Sequence, residues 1–247
     1  MARYQVILAY DGSGFQGSQR QAKTRTVQGE LEKSLRKLGW SERSVIMAGR
    51  TDTGVHATGQ VAAFDFEWTH TEERLLKALN AGLPPDLAIK SLREISADFH
   101  PRFDATSRRY LYRLFCEPIR DPLRERSAWR VWPVVDENML HQSAGLFPGT
   151  HDFAAFGSPT TPKGTTTRTV TKTGWRRMPD GEWQLEIQAD AFLYRMVRRS
   201  VFVQVAVAQG RCSLEEVRNA LLKQKKLLSG LAPAHGLTLV EVTYGSH

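Results

Sequence analysis

Only two cysteines, Cys116 and Cys212, occur in the 247 residues, with no CxxC pair and no histidine at metal-ligand spacing. Neither a disulfide framework nor a zinc site is expected from such usage. Long hydrophobic runs are missing too: no stretch approaches the roughly 18 uncharged apolar residues of a membrane-crossing helix. The opening segment MARYQVILAYDGSG has one basic residue and an apolar run too short for a signal-peptide core. Low-complexity tracts, tandem short repeats and heptads are absent as well. These absences lead us to expect a soluble, reduced, cytosolic protein with a compact fold, no metal and no membrane partner.

What is present is basic charge, unevenly placed. Lysine and arginine number 34 against 26 acids, a net +8. Residues 1–105 carry 14 basic and 13 acidic residues, whereas residues 106–247 carry 20 and 13. Of the basic residues 24 are arginine, the side chain that forks onto phosphate and stacks on bases. Arginine-rich codon usage would account for the ratio but not for the asymmetry, so a polyanionic partner, nucleic acid foremost, is the leading inference.

Periodicity predicts strands over 3–10, 44–49, 59–66 and 87–95, and helices over 27–38 behind Thr26 and from Thr71 to Leu79, in the order βαββαβ. The second half repeats that order: a strand over 108–116, a helix over 136–147, a hairpin of 168–178 and 182–189 closed by Pro179-Asp180-Gly181, a helix over 192–209, and a strand over 237–244. An extra helix over 214–223 follows the capping box Ser213-Leu214-Glu215-Glu216. The fold class expected is α+β, with two pseudo-symmetric split-βαβ halves, 1–105 and 106–247, each a helix-backed antiparallel sheet, and a cleft between them.

Gly12-Ser13-Gly14-Phe15-Gln16-Gly17 fits GxGxxG and follows a strand, yet no helix opens at its third glycine because 18–25 is polar and basic. A dinucleotide cofactor is therefore not expected, and a glycine-rich hairpin or substrate-side loop is the better reading. The segment 47–60, MAGRTDTGVHATGQ, differs: it sets Arg50, Asp52 and His56 between glycines and joins two apolar strands. Reactive groups on a loop held by a sheet suit chemistry, although a turn stabilised by Arg50 and Asp52 would look alike.

Projected at about 100° per residue, the helix over 192–209 is apolar around most of its circumference, and Arg198 falls between Val205 and Phe202. A guanidinium so flanked calls for a carboxylate or a phosphate, and Asp52 is one candidate. Over 99–114 basic and aromatic residues interleave; Arg108, Tyr110 and Tyr112 share one strand face, and Arg109, Leu111 and Arg113 the other. That face suits base stacking, as it would suit a half-buried tyrosine ladder. The 27 residues of 153–179 hold no acid but include Lys163, Arg168, Lys172, Arg176 and Arg177, the composition of a phosphate-contact strip or of a solvated loop.

With these segments in view, the chain resembles the tRNA pseudouridine synthase A family. Gly49-Arg50-Thr51-Asp52-Thr53-Gly54-Val55-His56-Ala57 is similar to its catalytic loop, Tyr10 to Gly17 and Thr26-Val27-Gln28 to its N-terminal pattern, and Arg108-Arg109-Tyr110-Leu111-Tyr112 to its tyrosine strand. Phe192-Leu193-Tyr194-Arg195-Met196-Val197-Arg198 resembles its third core motif and Ala232-Pro233-Ala234-His235-Gly236-Leu237 its C-terminal run. Ser18 stands where the family usually has tryptophan. The resemblance implies isomerisation of uridines 38, 39 and 40 in the tRNA anticodon stem-loop by a homodimer, without cofactor or metal. It implies Asp52 as nucleophile, Arg198 as its ion-pair partner, Tyr110 on the uracil and as a candidate proton acceptor, and Arg50 beside the flipped nucleotide. Arg108, Arg109, Lys163 and Arg168 complete the expected RNA contacts. The rivals are a non-catalytic RNA-binding protein or chaperone, to which a carboxylate among phosphates is no use, and a glycosidase or nuclease, which needs a second convergent acid.

Overall fold

The computed structural model describes residues 1–161, 164–223 and 227–245. Along the first part of the chain run β1 (Ala2–Tyr10), α1 (Val27–Lys37), β2 (Ile46–Met47), β3 (His56–Phe66), α2 (Glu72–Gly82) and β4 (Leu87–Ile95). Then follow β5 (Ala105–Cys116), β6 (Trp129–Val131), α3 (Glu137–Ala144), β7 (Gly149–Asp152), β8 (Thr167–Arg177), β9 (Trp183–Ala189), α4 (Met196–Ala208), α5 (Leu214–Lys223) and β10 (Leu237–Tyr244). The fold is mixed α+β. It divides into two compact units, Met1–Thr106 with Thr238–His247, and Ser107–Leu237.

In the first unit β1 lies between β3 and β4, antiparallel to both. Its alternation is what a one-sided sheet requires: Tyr4, Val6, Leu8 and Tyr10 are buried while Ile7 is exposed. Helices α1 and α2 cover the apolar face through Val27, Leu31, Leu35, Leu75 and Leu79, all fully buried. Thr26 caps α1 by accepting the Gly29 N–H, and Thr71 caps α2 by accepting that of Arg74. The Ser34 hydroxyl donates to the Leu79 carbonyl at 2.8 Å, and the Asn80 amide brackets Ile89 of β4 with bonds of 2.8 and 3.0 Å, tying helices to sheet. Strand β10, expected to close the second half, instead pairs in parallel with β3, Thr238 opposite His56 and Leu239 opposite Ala57. Its own sequence gives its length but not its partner, which the rest of the chain decides.

In the second unit β5, β9, β8 and β7 are hydrogen-bonded in that order, all antiparallel, and β6 pairs with β5 in parallel. Its core holds Tyr112, Leu114, Leu185 and Ile187 from the sheet and a cluster of Phe147, Phe153 and Phe156, with ring centroids 5.3 to 6.2 Å apart. The acid-free segment is thus not one continuous strip: Phe153, Phe156, Val170 and Trp175 are core, and 167–177 is strand β8. Ser213 forms the expected capping box, accepting the Glu216 N–H at 3.1 Å while the Glu216 carboxylate accepts the Ser213 N–H at 2.7 Å. Helix α4 starts at Met196, later than periodicity suggests, because Arg195 adopts a left-handed conformation with φ of 64°. Short strands β6 and β7 have no counterpart in the periodicity, and the strand expected over 44–49 shrinks to the two residues of β2.

Candidate active site

The residues joining β2 to β3 carry Arg50 and Asp52. Ala48 donates its N–H to the Val61 carbonyl at 2.8 Å, and the Gln60 amide donates to the Gly49 carbonyl at 2.9 Å, so the loop leaves the sheet in a fixed direction. At the far end the Val55 N–H returns to the Asp52 carbonyl at 3.1 Å across a turn whose third residue, Gly54, has φ of 80°. A positive φ there is what a type II turn asks of glycine. Thr51, just before Asp52, is buried and held at every polar group. Its N–H donates to the Ser18 hydroxyl at 2.8 Å, its carbonyl accepts the Ser18 N–H at 3.1 Å, and its hydroxyl shares a 2.8 Å hydrogen bond with the Tyr10 hydroxyl. Burial pushes the Tyr10 phenol up to about 12, against the opposing pull of its bonds to Thr51 and Gln60. Asp52 itself is half-buried and Arg50 is exposed.

The GxGxxG segment finds its use here. Helix α1 opens at Val27, not at Gly17, and Gly12–Gly14 form a single 3-10 turn, so no helix N-terminus faces a pyrophosphate. A Cβ on Gly12 would fall on the Val55 carbonyl. One on Gly17, whose φ is 85°, would lie 2.9 Å from the Thr51 carbonyl. The glycines let backbone lie against backbone beside Asp52. The Gly12 N–H donates to His56 Nδ1 at 3.1 Å, which the Asp11 carboxylate also approaches at 3.1 Å.

In the second unit the tyrosine strand splits in two. Tyr112 is fully buried, donates to the Pro233 carbonyl at 2.9 Å, and has its phenol raised well above the usual range by burial, with Arg198 pulling the other way. It serves the core, not an RNA face. Tyr110 is half-buried, with its ring edge-on to Phe192 at 5.2 Å. Arg198 donates from Nε to the Ala232 carbonyl at 2.8 Å while its own carbonyl accepts the Ala232 N–H at 3.2 Å. A main-chain oxygen thus accepts from the Nε of this guanidinium. The run Ala232-Pro233 thereby holds both Arg198 and Tyr112, a role for the C-terminal motif that no local pattern reveals.

Arg108 donates to the Asp190 carbonyl at 2.8 Å, Arg109 and Lys172 approach Glu186 at 3.8 and 3.1 Å, and Arg168 donates to the Thr165 and Thr167 carbonyls at 2.9 and 2.5 Å. Lys163 lies outside the described residues. Asp52 and Arg50 belong to one unit, and Tyr110, Arg108, Arg109, Arg168 and Arg198 to the other. Among the described residues no three His, Cys, Asp or Glu side chains stand together as a metal site, and no helix is long and apolar enough to cross a membrane.

A carboxylate on a loop fixed from both sides suits covalent or electrostatic catalysis on a bound substrate. Comparison with known proteins gives that chemistry a class. The family model described as tRNA pseudouridine synthase matches residues 6–104 and 144–245, which makes the protein an isomerase of the pseudouridine-forming kind. The chain belongs to the tRNA pseudouridine synthase family. It is similar to proteins named tRNA pseudouridine synthase A in Chloroflexus aurantiacus, at 40% identity over 97% of this chain and 87% of that one. It is likewise similar to those of Methylacidiphilum infernorum, at 40% over 98% and 95%, and Listeria monocytogenes, at 38% over 99% and 100%.

Proposed function

We propose that the protein isomerises uridine to pseudouridine at positions 38, 39 and 40 of the tRNA anticodon stem-loop, with Asp52 as nucleophile. The observation that carries this reading is the immobilised backbone of Thr51 and the Gly54 turn on either side of Asp52. A carboxylate whose main chain is fixed before substrate arrives need not be ordered during the reaction, and such preorganisation lowers the barrier. The N1–C1′ bond breaks, the uracil turns, C5 bonds to C1′, and the C5 proton leaves while N1 gains one; composition is unchanged and no electron is transferred overall. Asp52 takes part by attack at C1′, by addition at C6, or by assisting a glycal.

In this reading Arg198 keeps Asp52 ionised, Tyr110 stacks on the uracil and takes the C5 proton, and Arg50 fills the gap left by the flipped nucleotide. Taking the base from its stack costs a few kcal/mol, which phosphate contacts from Arg108, Arg109, Lys163 and Arg168 offset. Residues 1–105 and 106–247 are read as related split-βαβ halves, and the protein as a cytoplasmic homodimer. The test is to incubate the purified protein with tRNA lacking these modifications and map pseudouridine by position. Product confined to 38, 39 and 40 is expected. Pseudouridine elsewhere refutes the site, free uracil or cleaved RNA refutes the reaction, and binding without product leaves an RNA-binding protein.

A further inference from the structure

We infer that Ser18 is a positioning residue for this isomerisation, setting the place of Asp52 through Thr51. The inference rests on the proposed role of Asp52. Ser18 is fully buried, and each of its main-chain polar groups, together with its hydroxyl, is bound. The hydroxyl accepts the Thr51 N–H at 2.8 Å and the main-chain N–H donates to the Thr51 carbonyl at 3.1 Å, so two antiparallel bonds clamp the residue that precedes Asp52. The Ser18 carbonyl accepts the Gln28 N–H at 2.9 Å, in the first turn of α1. Such first-turn donors have no partner inside a helix. Here the Val27 N–H reaches the Gly17 carbonyl at 3.4 Å, the Gln28 N–H reaches Ser18, and the Gly29 N–H reaches the Thr26 hydroxyl at 3.2 Å.

Ser18 thus links a capped helix to the loop, and α1 is itself anchored by three fully buried side chains, Val27, Leu31 and Leu35. Rigidity passes from helix to Ser18, to Thr51, to the Asp52 main chain. The left-handed turn at Gly17 brings the chain close enough for the short serine side chain to reach a main-chain N–H.

The experiment compares Ser18→Ala, Ser18→Thr and Ser18→Val with Asp52→Asn in the full-length protein, under saturating tRNA and well below each variant's Tm. Thr and Val have one shape and differ by the hydroxyl, so crowding in the buried site weighs on both alike. Ser18→Ala and Ser18→Val are expected to lower kcat by about 10- to 100-fold, the scale of a small misplacement of a reacting group, with KM for tRNA unchanged; Ser18→Thr recovers most of the loss. Equal kcat for the Thr and Val variants, or an alanine variant with wild-type kcat, overturns the positioning role. So does a loss in Ser18→Ala that merely follows its unfolded fraction. If instead Asp52→Asn keeps turning over, it is the nucleophile assignment that fails, whatever the Ser18 variants do.

Discussion

Replacing Tyr10 with phenylalanine removes one buried hydroxyl from beneath the Asp52 loop and changes little else. Tyr10 is 5% exposed, its hydroxyl lies 2.8 Å from that of Thr51, and Thr51 is 7% exposed, so water cannot easily take the lost place. An orphaned buried polar group costs about 1–3 kcal/mol. In a chain of this length each kcal/mol moves Tm by roughly 2–4 °C, and a fall of about 5 °C is expected for Tyr10→Phe at neutral pH. The dependence on pH is a sharper signature. Burial raises the folded phenol to about 12 from an ordinary value of 10.0. Between those values the unfolded chain has released the proton and the folded chain still holds it. Stability from the neutral buried phenol is therefore complete below pH 10 and drains away as pH rises to about 12. A shift of that size corresponds to about 3 kcal/mol, comparable with what the hydroxyl contributes, so the wild type and Tyr10→Phe converge in stability near the upper limit. Urea unfolding of both proteins across this range, with phenolate absorbance recorded in parallel, measures the effect. A constant gap between them, or a Tyr10 phenol that ionises near its ordinary value, would refute this reasoning.

Two further substitutions probe the same unit. Glu32 has no side-chain exposure; it takes Arg20 at 2.5 Å, the Val45 N–H at 3.1 Å and the Gln28 amide at 2.9 Å. Glu32→Ala returns Arg20 to water and leaves the Gln28 amide its bonds to the Ser44 hydroxyl and the Val45 carbonyl, but strands the buried Val45 N–H, so a loss of about 1–3 kcal/mol is expected, read as a Tm lower by roughly 2–12 °C; an unchanged Tm would contradict the burial argument. Gly12→Ala places a methyl on the Val55 carbonyl and must move the turn behind Asp52. Overpacking of this kind costs about 1–3 kcal/mol, and turnover at a temperature where the variant is folded should fall further than that stability loss explains. Equal, small effects on both would show that the turn adapts.

The caps are legible in the sequence because they are local. Thr26, Thr71, Asp136 and Ser213 each accept an N–H three residues on, and so reveal helix starts without knowledge of the fold. What depends on distant partners is not legible in this way. The alternation of β5 assigns Tyr110 and Tyr112 to one face, but the second is buried among groups distant in sequence, with Trp129, the Pro233 carbonyl and Gly236 against it. The glycines of 12–17 read as a hairpin or a substrate-side loop, and nothing local shows that the chain around 51–55 lies against them. The contact of Ser18 with Thr51 is not legible either, because a buried hydroxyl on a remote N–H leaves no trace in spacing. The parallel pairing of β10 with β3 is of the same kind, since strand length is written locally and strand partnership is not. Arg50 and Asp52, by contrast, are conspicuous in the sequence itself, as charged groups set between glycines on a segment that joins two apolar strands.

The central claim is that Asp52 supplies the nucleophile, and release of tritium from tRNA labelled at uridine C5 measures it directly. Asp52→Asn removes the charge and keeps the size, leaving the hydrogen bonds of Thr51 and the Val55 turn intact. The Asp52→Asn protein is expected to fold, to bind tRNA as the wild type does, and to release no tritium above background. Release continuing in that variant at a rate near the wild type's would contradict the nucleophilic role.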